Sequence, residues 1–538
     1  MKKTLTFWAA VAIAAVVVTR PAAAQDTSPE RVKELLAQAM QQVGPAPAAQ
    51  PTAPVQEGPK LELSVENAVA RAMERNLNIA SERLTPQAQD LQISATEAFY
   101  RPNLTSSFSN NSAVNLTGDI FSGGTRVNTD AQAWAGGLGG NLFWGGSSYA
   151  VNFSNSRQQT SSLATTCNPC FNSGLQATFT QPLLRNFKID NNRANLLTSR
   201  IQREVSDITL RSTIASIDAQ VRNAYWELVY AYGALQAAER SLELAAKLVS
   251  DNKSRVEIGT MAPIDVVQAQ AEEATRRQAV VNAQATLRNN ELALKRLIVG
   301  GTDDEVWRST IFPTDRPAPT QAPVDVEAAL RNALQNRTDL ETTRKSIETS
   351  DVQLRSFVNQ TMPQLNLIAD YRLNGRGGLE IERDRITQNI LNTHPGGYGD
   401  ALRAISAFDA PTWNVRMEFA WPIGTSAAEA NVARQRVLRR QTETQVKSTE
   451  LQIATEIASA ALNIRNSTEA IQASTVSREL AERRLEAAQS KFEVGMSTNF
   501  EVVQAQRDLF DARNRELREM LNYQRALVDF QRAQISPR

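Results

Sequence analysis

The residue types that carry most enzymatic chemistry are scarce in this chain of 538 residues. It contains one histidine, His394, and two cysteines, Cys167 and Cys170. A metal site built from several histidines is therefore excluded, and a Ser–His–Asp triad would depend on His394 alone. A Pro-Gly-Gly sequence follows His394 and predicts a plain loop there. No nucleophile motif accompanies it, so we expect no catalysis, no metal and no cofactor.

The two cysteines enclose the sequence Asn-Pro. A thioredoxin-like redox motif would begin a helix in an α/β unit, which the surrounding sequence does not predict. Zinc would need two further ligands. In an oxidising compartment, Cys167 and Cys170 are therefore expected to form a local disulfide in an outer loop.

Two acidic residues follow glycine-containing turns at the start of predicted helices. Asp265 comes two residues after Pro263, and Glu501 closes the sequence Thr498-Asn-Phe-Glu. The second pattern is that of a capping box, and the first places an acid in the opening turn of a helix. Helix capping is one interpretation of both acids, and it is compatible with a second role.

The first 24 residues predict a secretory signal peptide. Lys2 and Lys3 precede the apolar stretch 5–18, and Ala22-Ala23-Ala24 offers a cleavage site before Gln25. An apolar run this short does not cross a bilayer as a helix. Because no cysteine lies near the cleavage site, we expect a protein that is not a lipoprotein.

Charge and hydropathy narrow the class of protein further. The formal charge is +1, and removing Lys2, Lys3 and Arg20 leaves −2, so nucleic acid is not an expected partner. No later stretch approaches 18 consecutive apolar residues. The chain is therefore either a soluble exported protein or one that spans a membrane as strands of a closed barrel.

The rest of the chain follows one plan twice. Positions 65–104 recur 261 residues later, and positions 259–270 recur 236 residues later, with Val266–Gln270 identical to Val502–Gln506. The predicted organisation is a Pro/Ala-rich linker 25–60; a first repeat 61–301 with a helix 61–101, a β segment 102–182 and long helices 183–301; a Pro-rich linker 302–324; and a second repeat 325–538 with a helix 325–362, a β segment 363–422 and long helices 423–535. Both linkers are expected to be extended straps.

The two β segments differ sharply in composition from the helices. They hold 16 of the 24 glycines, and 413–421 alternates apolar and polar residues, as a lipid-facing strand does. The first segment is longer by 21 residues, which predicts an extra hairpin, 134–143 and 149–153, joined by a turn at Trp144-Gly145-Gly146. This hairpin could widen a barrel or cap it from outside.

The helical stretches carry one apolar stripe each. Residues from Leu210 to Leu235 are apolar at intervals of three and four, typical of a helix with one buried face. A helix from about 184 to 250 would be roughly 100 Å long, so it must pack along other long helices.

Five local sequences resemble the TolC-type outer-membrane factor family over about residues 61–535. They are the stretches that begin at Gln181 (QPLLRN), Tyr225 (YWEL), Ala245 (AAKL), Phe492 (FEVG) and Phe500 (FEVVQAQ). The resemblance implies a mixed α+β membrane protein: a trimeric outer-membrane β-barrel, with four and possibly six strands per chain, continued by a periplasmic α-helical barrel.

The resemblance also implies the function. The family's channels are passive conduits of tripartite efflux or type I secretion systems, and they work with a periplasmic adaptor and an inner-membrane pump. We therefore expect a homotrimer in the outer membrane with its helices in the periplasm. A periplasmic helical adaptor is the alternative, although an adaptor would have a single β-rich body. An exported hydrolase is disfavoured by the single histidine.

Two groups of residues correspond to functional positions of the family. Those at the periplasmic aperture are Asp265, Glu501, Gln268, Gln504 and Phe492. Those at the turns that dock the adaptor are Ile258, Gly259, Thr260, Val494, Gly495 and Met496. The family has an acid at position 504 and an arginine at position 497, where this chain has Gln504 and Ser497, so its salt-bridge latch is not expected here.

Overall fold

The computed structural model describes residues 59–116, 124–316, 324–384, 389–424 and 426–537. The predicted signal peptide and nearly all of the linker 25–60 lie outside these residues.

The first copy contains β1 (Lys60–Leu63), α1 (Val65–Arg75), α2 (Leu77–Glu82), α3 (Leu84–Glu97), β2 (Asn103–Leu116), β3 (Arg126–Asn141), β4 (Ser148–Thr160), β5 (Cys167–Pro182), α4 (Asn191–Glu257) and α5 (Pro263–Ile298). The connection and second copy contain α6 (Glu305–Arg308), β6 (Thr310–Pro313), α7 (Val326–Asn336), α8 (Thr338–Gln360), β7 (Gln364–Arg383), β8 (Ile390–His394), α9 (Tyr398–Ser406), β9 (Pro411–Ala420), α10 (Ala427–Glu493) and α11 (Asn499–Ala533).

The duplication is visible in the helix bounds. α4 and α10 both contain 67 residues, and their ends are related by the shift of 236 that the sequence shows. Each is followed by a short turn and a second helix that runs back along it. No helix among the described residues is both long and apolar enough to cross a membrane.

The apolar stripe predicted for the first long helix is its buried face. Ile217, Val221, Tyr225 and Leu228 are at most 3% exposed, and they pack against α1, α5 and β6. The Tyr225 hydroxyl donates to the carbonyl of Leu63 at 3.0 Å and also lies 2.9 Å from an Asp315 carboxylate oxygen. Burial raises the pKa of Tyr225 to about 12.

Two predicted segments differ from the structure. The helix expected at 61–101 begins with a strand and is divided at Asn76 and Arg83 into three helices, because Asn76 caps a new helix with its side chain. The linker 302–324 is folded where it is described. It contains α6 and β6, and β6 pairs in parallel with β1 and buries Ile311 completely.

The two β segments form one antiparallel sheet. Its strand order is β2-β3-β4-β5-β7, and β7 pairs on its far edge with β9 along 364–373 and with β8 along 380–383. The extra hairpin is β3 and β4, longer than predicted, and its turn contains Gly145 and Gly146 with φ of 63° and 64°. A positive φ at both positions is what a tight hairpin turn requires.

The second segment contains a helix that the sequence did not predict. α9 lies against β7 and β5, where any Cβ at Gly375 or Gly377 would collide with its backbone. His394 is the last residue of β8, opposite Glu380, and not a loop residue as expected. Cys167 and Cys170 are joined by a disulfide, and they lie in the first residues of β5, not in a separate loop.

Candidate functional site

The candidate site consists of the two turns that join the long helices to their partners. We call residues 258–262 the first tip and residues 494–498 the second tip. In the first, the Thr260 N–H donates to the Arg255 carbonyl at 2.9 Å and the Gly259 N–H donates to the Val256 carbonyl at 3.0 Å. In the second, Met496 and Gly495 make the same two bonds to Lys491 and Phe492.

This bonding pattern requires a left-handed residue at the end of each helix. Gly259 and Gly495 supply it, with φ of 78° and 76°. A Cβ at either glycine would meet no atom within 4 Å, so backbone conformation, and not space, selects glycine there. The two tips therefore have the same backbone geometry.

The two acids predicted for the aperture lie in the first turns after the tips. The Glu501 N–H donates to the Thr498 hydroxyl at 3.4 Å, which is one half of a capping box. The other half is absent from this turn, because the Glu501 carboxylate accepts from the Ser497 hydroxyl at 2.6 Å. The carboxylate of Asp265, which follows Pro263, has no hydrogen bond or ion pair to any described residue.

Asn499 connects the two tips. Its side-chain nitrogen donates to the backbone carbonyl of Asp265 at 3.3 Å, and its oxygen accepts from the Asn252 side chain at 2.9 Å. Both asparagines are at most 3% exposed. Asn499 thus links the second tip to the first, and beside it the Arg255 guanidinium on α4 donates to the Phe492 carbonyl on α10 at 3.2 Å.

A second connection lies two turns farther along the returning helices. The Glu272 carboxylate on α5 accepts from Arg276 on the same helix at 2.7 Å and from Arg507 on α11. The Glu272 side chain is 2% exposed. Burial alone would raise the pKa of Glu272, but the hydrogen bonds and charges of Arg507 and Arg276 outweigh it, and the pKa is lowered.

These connecting residues were missed in the sequence. The signal that could have found them is a polar residue at a position of the buried stripe. Asn252 continues the series Ala245, Leu248 and Val249, and Glu272 and Arg276 continue the series that starts at Ala269. A polar side chain on such a face must be paired, and here the partner is on the neighbouring hairpin.

The remaining aperture residues take different places. Phe492 is 7% exposed and packs among Leu248, Leu485 and Val502, with the Arg255 guanidinium 4.5 Å from the centre of its ring. Within one chain, Phe492 therefore packs between helices, and its correspondence to a gate aromatic of the family stays a prediction. Gln504 donates to Asp508 at 2.8 Å, and its equivalent Gln268 is exposed.

Both tips, and the first turns of the helices that follow them, expose large apolar side chains. In the isolated chain these side chains are at least 60% exposed: Ile258, Ile264, Val494, Met496 and Phe500. Ile258 and Val494 are equivalent positions of the two copies, and so are Ile264 and Phe500. Exposed apolar groups clustered beside charged ones mark a surface that another protein covers.

Fold and site together define a class: an internally duplicated protein in which paired long helices adjoin one antiparallel β-sheet built from both copies. The comparisons with known proteins agree. The family model described as outer membrane efflux protein matches residues 148–300 and 329–533, more than half of the chain. The chain belongs to the outer membrane efflux protein family. It is a passive channel of the outer membrane.

Solved structures show the same fold. VceC of Vibrio cholerae has a TM-score of 0.61 at 15% identity, with 88% of this chain and 96% of that chain covered. CmeC of Campylobacter jejuni has a TM-score of 0.60 at 14% identity, covering 88% and 85%. A membrane protein from Pseudomonas aeruginosa has a TM-score of 0.63 at 15% identity, covering 91% and 99%. Among curated proteins no match was found.

Proposed function

We propose that the two tips form the periplasmic mouth of the channel, with Asp265 and Glu501 as rings of carboxylates around it. The observation that carries the proposal is the shared geometry of the tips. Two equivalent turns, joined through Asn499, place one acid each in the first turn of the returning helix. Three-fold symmetry would turn these two acids into six carboxylates near one axis, which favours the entry of cations.

The carboxylate of Asp265 supports this role more directly than that of Glu501. A pure capping residue would use its carboxylate on a backbone N–H, and neither acid does so. Asp265 is unpaired within the described chain, and Glu501 accepts only a serine hydroxyl. Both charges are therefore available to ions and to the neighbouring subunits.

The test is ion selectivity in planar bilayers. Replacing Asp265 with Asn and Glu501 with Gln together should lower the cation-to-anion permeability ratio about twofold or more, since the local negative potential is removed. Glu243→Gln with Glu479→Gln is the matched control. These exposed acids are also related by the shift of 236, and they lie roughly 20 Å up the long helices. Equal permeability ratios in the two double variants would contradict the proposal.

We further propose that the exposed apolar residues of the tips dock the adaptor, in the conduit of a tripartite efflux or type I secretion system. Ile258 and Val494 lie beside the glycine turns and expose 74% and 70% of their surface. Replacing both with Glu should weaken binding of the cognate adaptor by about tenfold or more, because apolar contacts at the centre of an interface dominate its affinity.

The control for docking is Glu493→Gln, which changes a charge next to Val494 and removes no apolar surface. It should leave adaptor binding within about twofold, as rim charges do. If Glu493→Gln weakened binding as much as the double variant, docking would depend on charge, and the apolar surface would not be the contact.

A further inference from the structure

The sheet contains six long strands from one chain: β2, β3, β4, β5, β7 and β9. The extra hairpin lies within this sheet, since β3 pairs with β2 along all 14 residues of β2 and β4 pairs with β5 along 148–158. The hairpin is therefore neither a cap nor a flap outside the strand order. Successive strands alternate in direction, so the two edge strands, β2 and β9, run antiparallel to each other.

All six strands share one apolar face. Cross-strand partners keep side chains on the same side of the sheet, and in the half nearest the helices the register places apolar residues opposite one another from edge to edge. Farther from the helices the same face also carries polar residues: Asn110, Gln132, Asn155 and Ser173. One face carries Leu104, Phe108, Trp134, Leu138, Val151, Phe153, Leu175, Phe179, Leu367, Tyr371, Trp413, Val415, Met417 and Phe419. The opposite face carries Thr105, Ser107, Asn152, Ser154, Gln176, Thr178, Asp370, Arg372, Asn414, Arg416 and Glu418. β3 and β4 thus have the same lipid-facing and water-facing sides as the other four strands.

The two edge strands are suited to pairing with another chain. β2 contains no charged residue and no proline, and it has a regular register with β3. β9 has a proline only at its first position, Pro411. It carries Arg416 and Glu418, but both lie on the polar face, where Arg416 pairs with Asp370 at 2.6 Å and with Glu418 at 3.0 Å. Neither edge strand has a bulge, and neither has a proline within its length, so both expose backbone groups that need a partner strand. In lipid these backbone groups find no other hydrogen-bond partner, so the edge strands must pair with another strand.

The stagger of the strands gives the geometry of closure. The row of paired residues that starts at Asn103, the first residue of β2, runs through Gly139, Ala150, Thr178 and Asp370. It ends at Asn414 on β9, six residues before the last residue of that strand, Ala420. If a ring closes with Ala420 level with Asn103 of the next copy, this offset of six residues is the shear that each chain contributes. A shear of six residues over six strands corresponds to a strand tilt of about 35°, within the range of outer-membrane barrels.

We infer that three copies of this chain close an 18-stranded barrel, in which β9 of each copy pairs with β2 of the next. Placing Asn103 of one copy opposite Ala420 of its neighbour continues the same stagger and puts Leu104 opposite Phe419 on the apolar face. With strands 4.8 Å apart, the ring measures about 33 Å across the backbone, against about 22 Å for a ring of four strands per chain.

The interior of this ring is open in the residues described. On the polar face, β3 contributes small residues, Ala133, Ala135, Gly137 and Gly139. α9 packs over Gly375 and Gly377, on the apolar side, so it does not enter the lumen.

The edge pairing is tested by a disulfide between copies. The stagger puts Ser109 of one copy opposite Asn414 of the next, both on the polar face. Ser109→Cys with Asn414→Cys in the full-length protein should give covalent dimers and trimers on boiled, non-reducing gels. Phe108→Cys with Asn414→Cys, whose side chains point to opposite faces, is the control and should remain monomeric. Heat-resistant trimers before boiling establish assembly independently. Monomers alone from the first pair would overturn the inference.

The strand count is tested by electron microscopy of the trimer in lipid nanodiscs. The intact protein should show 18 strands, and a variant lacking 124–162, which removes β3 and β4, should show 12 in a ring about one third narrower. The deletion keeps the faces aligned, because Leu104, Leu138, Val151 and Ala177 lie in one row. A ring of 12 strands in the intact trimer would overturn the inference even if the shortened variant failed to fold.

Discussion

The two copies of the duplicated plan have the same helical frame and different polar side chains fixing it. α4 and α10 are equal in length, and each tip has a glycine with φ near 77° as its second residue. At three equivalent places, however, the polar groups differ. These places are the junction where the first short helices meet the returning helix, the flank behind the tip, and the residue that caps the returning helix.

The junction shows the difference most clearly. In the first copy, Asn76 donates to the carbonyl of Leu297 at 2.8 Å. At the equivalent positions of the second copy, Arg337 donates to the carbonyl of Ala533 at 3.0 Å and also pairs with Asp339 and Glu456, each at 2.7 Å. The Arg337 side chain is fully buried. A neutral hydrogen bond in one copy corresponds to a buried ion cluster in the other.

Apolar stripes and glycine turns therefore determine the helix arrangement that the two copies share. The polar contacts between those helices differ from one copy to the other. A stripe tolerates exchange of one apolar residue for another. A buried polar group instead requires a specific partner, so each copy has developed its own set. The energetic consequence is that equivalent substitutions in the two copies should have unequal effects.

The largest difference is expected at the junction. Arg337→Ala leaves Asp339, Glu456 and a buried carbonyl without their cation and should cost about 3–5 kcal/mol of unfolding free energy. Asn76→Ala removes one hydrogen bond and a helix cap and should cost about 1–2 kcal/mol. Urea unfolding of the detergent-solubilised trimer, followed by circular dichroism at 222 nm, measures both. Equal losses would show that the copies are not held differently here.

The flank behind the tip should give the next largest difference. Glu272→Ala leaves Arg276 and Arg507 unpaired beside a buried site and should cost about 3 kcal/mol. Its equivalent, Asp508, pairs with Arg484 at 2.7 Å, and the Asp508 side chain is 31% exposed. Asp508→Ala should therefore cost less than about 1 kcal/mol. The same unfolding measurement applies, and a larger loss for Asp508→Ala would reverse the comparison.

Acid should weaken the flank of the first copy selectively. The pKa of Glu272 is lowered in the folded protein, so its contribution to stability is present above the unfolded pKa, about 4.3, and is lost as pH falls through the folded pKa. The urea midpoint of the wild type should fall more steeply below about pH 4.3 than that of Glu272→Gln. Parallel curves for the two proteins would show that Glu272 does not titrate in this window.

The cap of α11 should have a smaller effect. Thr498 accepts a hydrogen bond from the backbone N–H of Glu501, and Thr498→Ala should cost about 1 kcal/mol. Thr498→Ser retains the acceptor and should be nearly neutral. If serine and alanine at this position gave the same unfolding midpoint, the Thr498 hydroxyl would not be acting as a cap.

Local periodicity predicted the long helices and their turns. Contacts between elements that are distant in the sequence could not be predicted. The stripe containing Val221, Tyr225 and Leu228, and the turns at Gly259 and Gly495, follow from spacing and residue type alone, and the structure places them as expected. α9 was missed because nine residues in a glycine-rich segment give little periodic signal, and it is held by contacts with β7 that the sequence does not show.

The candidate site divides in the same way. The acids Asp265 and Glu501 could be assigned to helix starts from their neighbours in the sequence. Their connection through Asn499 depends on which hairpins lie side by side, and so do the contacts that Phe492 makes within one chain. Polar residues within a buried stripe, such as Glu272, were the available signal for these contacts.

The smallest expected effect is a gain at the tip that lacks a cap. Ala262 occupies the N-cap of α5 with φ of −76° and ψ of 141°, and its side chain has no acceptor for the free N–H groups of the first turn. Ala262→Ser supplies that acceptor in a backbone conformation that suits it, and it should raise the unfolding free energy by about 0.5–1 kcal/mol. Ala262→Val fits the same backbone without an acceptor and should bring no gain. If Ala262→Ser lowered the unfolding free energy, the missing cap would have another cause. Neighbouring subunits would then contact the first tip and leave no room for a larger side chain at position 262.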